Sequence, residues 1–203
     1  MRSTLRHVPT AFCALHLLLA VSAAAFAAGP SFDCGKVETG SVAAMICGDE
    51  GLSAADRTLA GVYAAASAKG GGEHADNLRS EEVGWIKGRD ECWKSSDARA
   101  CVAEAYRLRT AELQARYRLV EPSGAGRYRC DGEPEHEVVA TYFPTDPPTA
   151  IAERGDDIAV LYQQPAASGA RYAGRNESIW EHQGEAMIAW GPGSPERRCV
   201  VVR

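Results

Sequence analysis

The most informative part of the sequence is Ser168-Gly169-Ala170-Arg171-Tyr172, followed by Trp180 and by Gly184-Glu185-Ala186. Ser168-Gly169 is a small-residue turn that lifts a hydroxyl to a loop tip, with Arg171 beside it. Tyr172 returns the chain to a strand. On its residues alone Ser168 is a turn serine, and Arg171 and Arg175 are solvated cations. A protruding contact loop fits this pattern better than a catalytic centre does.

Outward from that stretch the hydrophobic period is two. Candidate strands are 127–131, 137–143, 150–153, 158–163, 171–174, 178–182, 185–190 and 198–202. Turn residues part them: Asp146-Pro147-Pro148, Arg154-Gly155-Asp156-Asp157 and Gly191-Pro192-Gly193. Short, evenly spaced strands predict a small antiparallel barrel or sandwich. Cys130 and Cys199 sit on the first and last strands. A bridge between them closes a long loop and stabilises by about 4 kcal/mol in the chain-entropy model.

N-terminal to this, Glu121-Pro122-Ser123-Gly124-Ala125-Gly126 reads as a linker. Before it, residues from about 31 to 119 read as helical. Ser53-Ala54-Ala55-Asp56 is a capping-box-like start, with Asp56 suited to a helix N-terminus. Leu59, Val62, Tyr63 and Ala66 then share a face. Lys69-Gly70-Gly71-Gly72 stops that helix. A second runs from about Ala75 to Trp93, with Leu78, Trp85 and Cys92 seven apart and Ile86 and Trp93 beside them. Gly84 and Gly88 suggest close helix packing there. After Ser95-Ser96-Asp97 a third helix reaches about Arg118 on a stripe of Val102, Ala105, Tyr106, Leu108 and Leu113. These stripes read as core. The fold class is therefore α+β: a small disulfide-stapled helical domain, 29–121, then a small antiparallel β-barrel domain of about eight strands, 122–203.

Residues 1–28 read as a secretory leader: Arg2, Arg6 and His7, an apolar run from Ala11 to Val21, and Ala25-Phe26-Ala27 before the cleavage site. The apolar run is too short to span a bilayer. Cys13 precedes the apolar core, the reverse of a lipobox, which argues against a lipid anchor. The expectation is a soluble periplasmic protein. Six cysteines remain: Cys34, Cys47, Cys92, Cys101, Cys130 and Cys199. An even number in an exported chain predicts three disulfides. Cys92–Cys101 would staple a helical hairpin and Cys34–Cys47 the segment before it, although other pairings of these four stay open. No Cys-x-x-Cys spacing points to a metal, and no cofactor motif is present. Past the leader, 20 basic residues face 27 acidic ones, a net charge of −7. That excludes a nucleic-acid binder and favours a basic protein partner.

The residues now carry a resemblance. Tyr128-x-Cys130-Asp131-Gly132, Val160-Leu161-Tyr162, Ser168-Gly169-Ala170-Arg171-Tyr172, Trp180, Gly184-Glu185-Ala186 and Cys199 resemble the MliC/PliC group of bacterial c-type lysozyme inhibitors. Phe32-Asp33-Cys34, Ile46-Cys47, Leu52 to Tyr63, Trp85, Arg89-Asp90-x-Cys92-Trp93 and Cys101 to Tyr106 look like an LprI-type helical module. The resemblance implies a barrel that projects its serine loop into the lysozyme cleft. Ser168 matches the contact serine and Tyr172 the tyrosine that supports the loop. Gly169, Arg171, His182 and Gln183 complete the implied contact set. The family's lysine before Gly184 is replaced by Gln183, and the Trp180–Gly184 spacing is one residue longer than usual. No lysine follows Lys94. Gln183 can donate hydrogen bonds without the charge, while histidine is the residue type that gains charge at about pH 6.

The implied function is an exported inhibitor of c-type lysozyme that occludes the active-site cleft. The alternative is an envelope binding module, for a peptidoglycan fragment or a protein, that keeps the fold without inhibition. A glycan-processing enzyme is a weaker third reading. His74, His136 and His182 lie in no GxSxG, HExxH or comparable setting, and no nucleophile–base pair is identifiable.

Overall fold

A computed structural model describes residues 29–70, 72–132 and 137–202. The leader, with its cleavage site and Cys13, lies outside them, as do Glu133 to His136.

Four helices come first: α1 (Val42–Gly48), α2 (Glu50–Gly70), α3 (Gly72–Asp90) and α4 (Ala98–Arg116), with a 3-10 turn at Glu91–Lys94 between the last two. Ser41 caps α1 by accepting from Ala44 N, and Asp97 caps α4 by accepting from Ala100 N. The start of α2 corrects the sequence reading. Asp49 Oδ1 accepts from Leu52 N at 2.9 Å and does the capping. Ser53 lies one turn inside, buried, and its hydroxyl donates to Ile46 O at 2.7 Å. A Ser-Ala-Ala-Asp run mimics a helix start, but a better cap stood four residues upstream.

Asp56 is corrected too. It is buried and serves no helix end. Its Oδ1 accepts from the Tyr106 hydroxyl at 2.8 Å and its Oδ2 from Ser31 N at 2.6 Å. Arg89 Nη1 donates to the same Tyr106 oxygen at 2.8 Å. Burial raises the Tyr106 pKa well above the ordinary phenol value, so the hydroxyl stays a donor at neutral pH. Tyr106→Phe strips one bond from each of two buried charges. Unfolding free energy in urea should fall by about 1–3 kcal/mol. An unchanged value would make the hydroxyl a bystander.

The helical core gathers Ile46, Leu52, Leu59, Leu78, Val102, Tyr106 and Leu113. On α3 only part of the expected stripe is inside. Leu78 is buried, but Ile86 is 38% exposed and Trp93, in the 3-10 turn, is 66% exposed. Gly84 and Gly88 face open space, so they allow no close helix approach. Arg109, absent from the expected core, is buried on α4 between Glu82 and Glu112, at 3.0 Å from each. Desolvation holds Glu82 above the ordinary carboxylate value in spite of that partner.

Eight antiparallel strands then close a barrel in sequence order: β1 (Gly124–Cys130), β2 (Glu137–Phe143), β3 (Thr149–Arg154), β4 (Asp157–Gln164), β5 (Ala170–Ala173), β6 (Glu177–His182), β7 (Glu185–Trp190) and β8 (Arg197–Val201). Alternation puts Val138, Ala140, Ala150, Ala152, Leu161, Ile179 and Ile188 inside. Bridges join Cys34 to Cys47, Cys92 to Cys101 and Cys130 to Cys199. The supposed linker is partly strand: Gly124, Ala125 and Gly126 pair with Tyr142, Thr141 and Ala140. A Cβ on Gly126 would meet the Tyr128 hydroxyl at 2.4 Å, so the glycine makes room for that ring.

The two halves meet through α4, which packs on β3 and β4. The Tyr162 hydroxyl donates to Leu108 O at 3.3 Å, and Arg107 pairs with Asp146 of the β2–β3 loop at 2.9 Å. Val102, Tyr106 and Leu113 belong to the helical core. Ala111 and Ala115 are buried on the same helix outside that cluster.

Candidate functional site

The β4–β5 loop, residues 165–169, and the β6–β7 turn stand at one end of the barrel. Residues 165–169 are all exposed, and so are Arg171, His182, Gln183 and Gly184. Strand pairing brings the two loops together. Ala170 opposes Glu181 and Arg171 opposes Trp180, so the loop leaves β5 directly beside the end of β6.

The loop is fastened at its C-terminal end, where it enters β5. The Trp180 indole Nε1 donates to Ser168 O at 3.0 Å. Gly169 has φ +70°, a conformation costly for any residue with a Cβ. A Cβ there would also fall 2.0 Å from Glu181 O. The Ser168 side chain therefore projects from a backbone held by its own hydrogen bond and by close packing.

The neighbouring turn is a two-residue hairpin. Gln183 and Gly184 have φ of +52° and +84°, and His182 pairs with Glu185 across it. Two positive values mark a type I′ turn, whose twist matches the flanking strands. Glu185 is bonded by Arg198, with Nε to Oε2 at 2.7 Å, and that bond lowers its pKa below the ordinary carboxylate value.

Beneath the loops lies a polar aromatic plug that the sequence reading did not single out. The Tyr128 hydroxyl donates to Glu181 Oε2 at 2.9 Å and lies 2.8 Å from the Tyr142 hydroxyl. The Tyr142 ring packs on Tyr172, with centroids 5.2 Å apart. Burial raises all three phenols, Tyr142 to about 12. Glu181 thus offers its carboxylate to the plug and its carbonyl to Gly169. Tyr172 is 8% exposed, so its ring lies inside the barrel against Tyr142. A glutamate near the end of β6 gave no sequence signal, because its partners come from β1 and β2.

Of the residues singled out in sequence, Ser168, Gly169, Arg171, His182 and Gln183 share one exposed rim, and Tyr172 lies under it. Arg171 and Arg175 form no ion pair among the described residues. No group of three His, Cys, Asp or Glu among those residues is placed to hold a metal ion. No helix among them is long and apolar enough to cross a membrane.

Comparison with known proteins bears on this geometry. Residues 128–197 match the family described as membrane-bound lysozyme-inhibitor of c-type lysozyme, MliC. That span runs from the end of β1 to the first residue of β8 and takes in β2 to β7 whole. Over 165 residues the chain is 32% identical to Lipoprotein LprI of Mycobacterium bovis and of Mycobacterium tuberculosis, covering 79% of this chain and 80% of each relative. No solved structure matches. An alignment of that length takes in helices as well as barrel, and with the matched barrel it shows that the chain belongs to the MliC/LprI-type lysozyme-inhibitor family.

Proposed function

We propose that the chain is an exported, periplasmic inhibitor of c-type lysozyme whose Ser168 loop plugs the active-site cleft. One observation carries the reading: Ser168 is exposed on a backbone tied down by Trp180 and by the contact of Gly169 with Glu181 O. A loop already held in place loses little conformational freedom on docking. A lysozyme cleft contains two carboxyl groups, one a general acid with a raised pKa. A hydroxyl and nearby cations are the chemistry such a groove accepts. Ser168 is the principal donor. Gln183, His182 and Arg171 stand beside it, Arg171 supplying charge where the family's lysine is missing. From Pro122 on, 8 basic residues face 12 acidic ones, which favours approach of a basic enzyme.

The test is a lysis assay with purified c-, g- and i-type lysozymes on the oxidised chain and its Ser168→Ala variant. Inhibition should be confined to the c-type enzyme and weaken several-fold in the variant, in keeping with one lost hydrogen bond to a charged group. An unchanged inhibition constant would remove the loop from the mechanism. The second reading, an envelope binding module without inhibition, draws on Gln183. It is favoured if the intact chain leaves c-type lysis untouched at high micromolar concentration.

A further inference from the structure

The helical half contains a built groove that the lysozyme contact does not use. It runs between α2 and α3, measures about 440 Å³, and has Phe32, Tyr63, Trp85 and Ile86 as its apolar walls. A second depression of about 310 Å³ adjoins it, reaches Glu38 and Trp93, and shares Ala43 and Asp90 with the first. This continuity explains why Ile86 and Trp93 lie at the surface, although both belong to the apolar pattern of α3 and the turn after it.

The charges of the groove discriminate between ligands. Arg89 is its cation, and each of its three nitrogens already donates one bond. It lies 5.5 Å from the ring centres of both Trp85 and Tyr106. Its Nη1 donates to Tyr106, and its Nε and Nη2 both donate to Asp90 Oδ1. An incoming carboxylate would meet an occupied guanidinium flanked by Asp56, Glu82 and Asp90. The acceptor side is better supplied. Both bonds from Arg89 land on Oδ1 of Asp90, which leaves Oδ2 to accept. That side chain is 46% exposed where the two depressions meet. Glu38 adds a second carboxylate along the same wall. Apolar walls beside under-used carboxylates accommodate a long cationic side chain, its stem on the aromatic rings and its head on the oxygens.

We propose that this groove binds a basic polypeptide segment, seating an arginine or lysine flanked by apolar residues, with Asp90 as the charge partner and Trp85 and Ile86 as the apolar contacts. The site is separate from the Ser168 rim and does not depend on the lysozyme reading.

The experiment titrates the oxidised, isotopically labelled chain with the acetylated, amidated peptide Leu-Arg-Leu-Arg-Leu and follows the Trp85 indole N–H by NMR. Saturable shifts at Trp85 and Ile86 are expected, with Kd below about 1 mM. Binding should weaken at least about tenfold when both arginines are replaced by glutamine, or when the protein carries Ile86→Arg. Ile86 lies at the surface, so the variant keeps its spectrum elsewhere. Absent or unsaturable shifts at Trp85, equal binding of the glutamine peptide, or tighter binding of Leu-Glu-Leu-Glu-Leu would overturn the proposal. The two readings fail separately. Ser168→Ala should leave the peptide titration unchanged, and loss of lysozyme inhibition alone says nothing against the groove.

Discussion

Replacing Gly169 by alanine should raise the inhibition constant against c-type lysozyme by at least about thirtyfold, the equivalent of roughly 2 kcal/mol. Two effects combine at this position. A non-glycine residue held at φ +70° costs about 1–3 kcal/mol. The new methyl group would also lie 2.0 Å from Glu181 O, a backbone atom in the β5–β6 ladder that cannot turn aside. The loop has to retreat from β6, which breaks the bond from the Trp180 indole to Ser168 O. The serine hydroxyl then leaves its place without being touched itself. Gly169→Ala should therefore inhibit less well than Ser168→Ala, an order that a simple loss of one donor would not produce. The barrel core should survive, because the affected atoms lie above the tyrosine plug. Inhibition within threefold of the parent would show that the position of the loop is not fixed by this packing.

The second large effect is on stability. Cys130 and Cys199 oppose each other directly in the ladder that closes the barrel, 69 residues apart in sequence. The bridges within the helical half span 9 and 13 residues. Loop entropy grows with the logarithm of loop length, so the barrel bridge contributes about 4 kcal/mol and the short ones about 3 each. A Cys130→Ser, Cys199→Ser double variant should melt on the order of 10 °C lower in calorimetry. Replacing both cysteines avoids a stray thiol. A shift under 2 °C would mean that the β1–β8 ladder closes the barrel unaided.

Much of this architecture was legible in the residues because alternation and turn chemistry are local. The expected strands 137–143 and 185–190 coincide with the observed ones, and the other six lie within a few residues of theirs. The failures have a common cause. Gly124 and Gly126 look like linker, yet they belong to β1, and at Gly126 the Tyr128 ring takes the space a side chain would fill. Seven-residue α1 is too short for a helical period to register. Ser53 and Asp56 imitate a helix start, while their actual partners are Ile46 O in one case and Tyr106 and Ser31 in the other. At the candidate site the exposed rim was readable from Ser168-Gly169 and the residues that follow. Its foundation was not, since Glu181 and Tyr128 lie 53 residues apart and are joined only by barrel closure.

Helix α4 has a dual allegiance, with one flank in the helical interior and the other against the outer wall of β3 and β4. Neither half can let go of it without baring apolar surface on the other. Heat should therefore find a single cooperative unit with one melting step, and a cut near residue 121 would yield two fragments each lacking a wall. Any activity mapped with such fragments would report the damage at the cut as much as the division of labour in the intact chain.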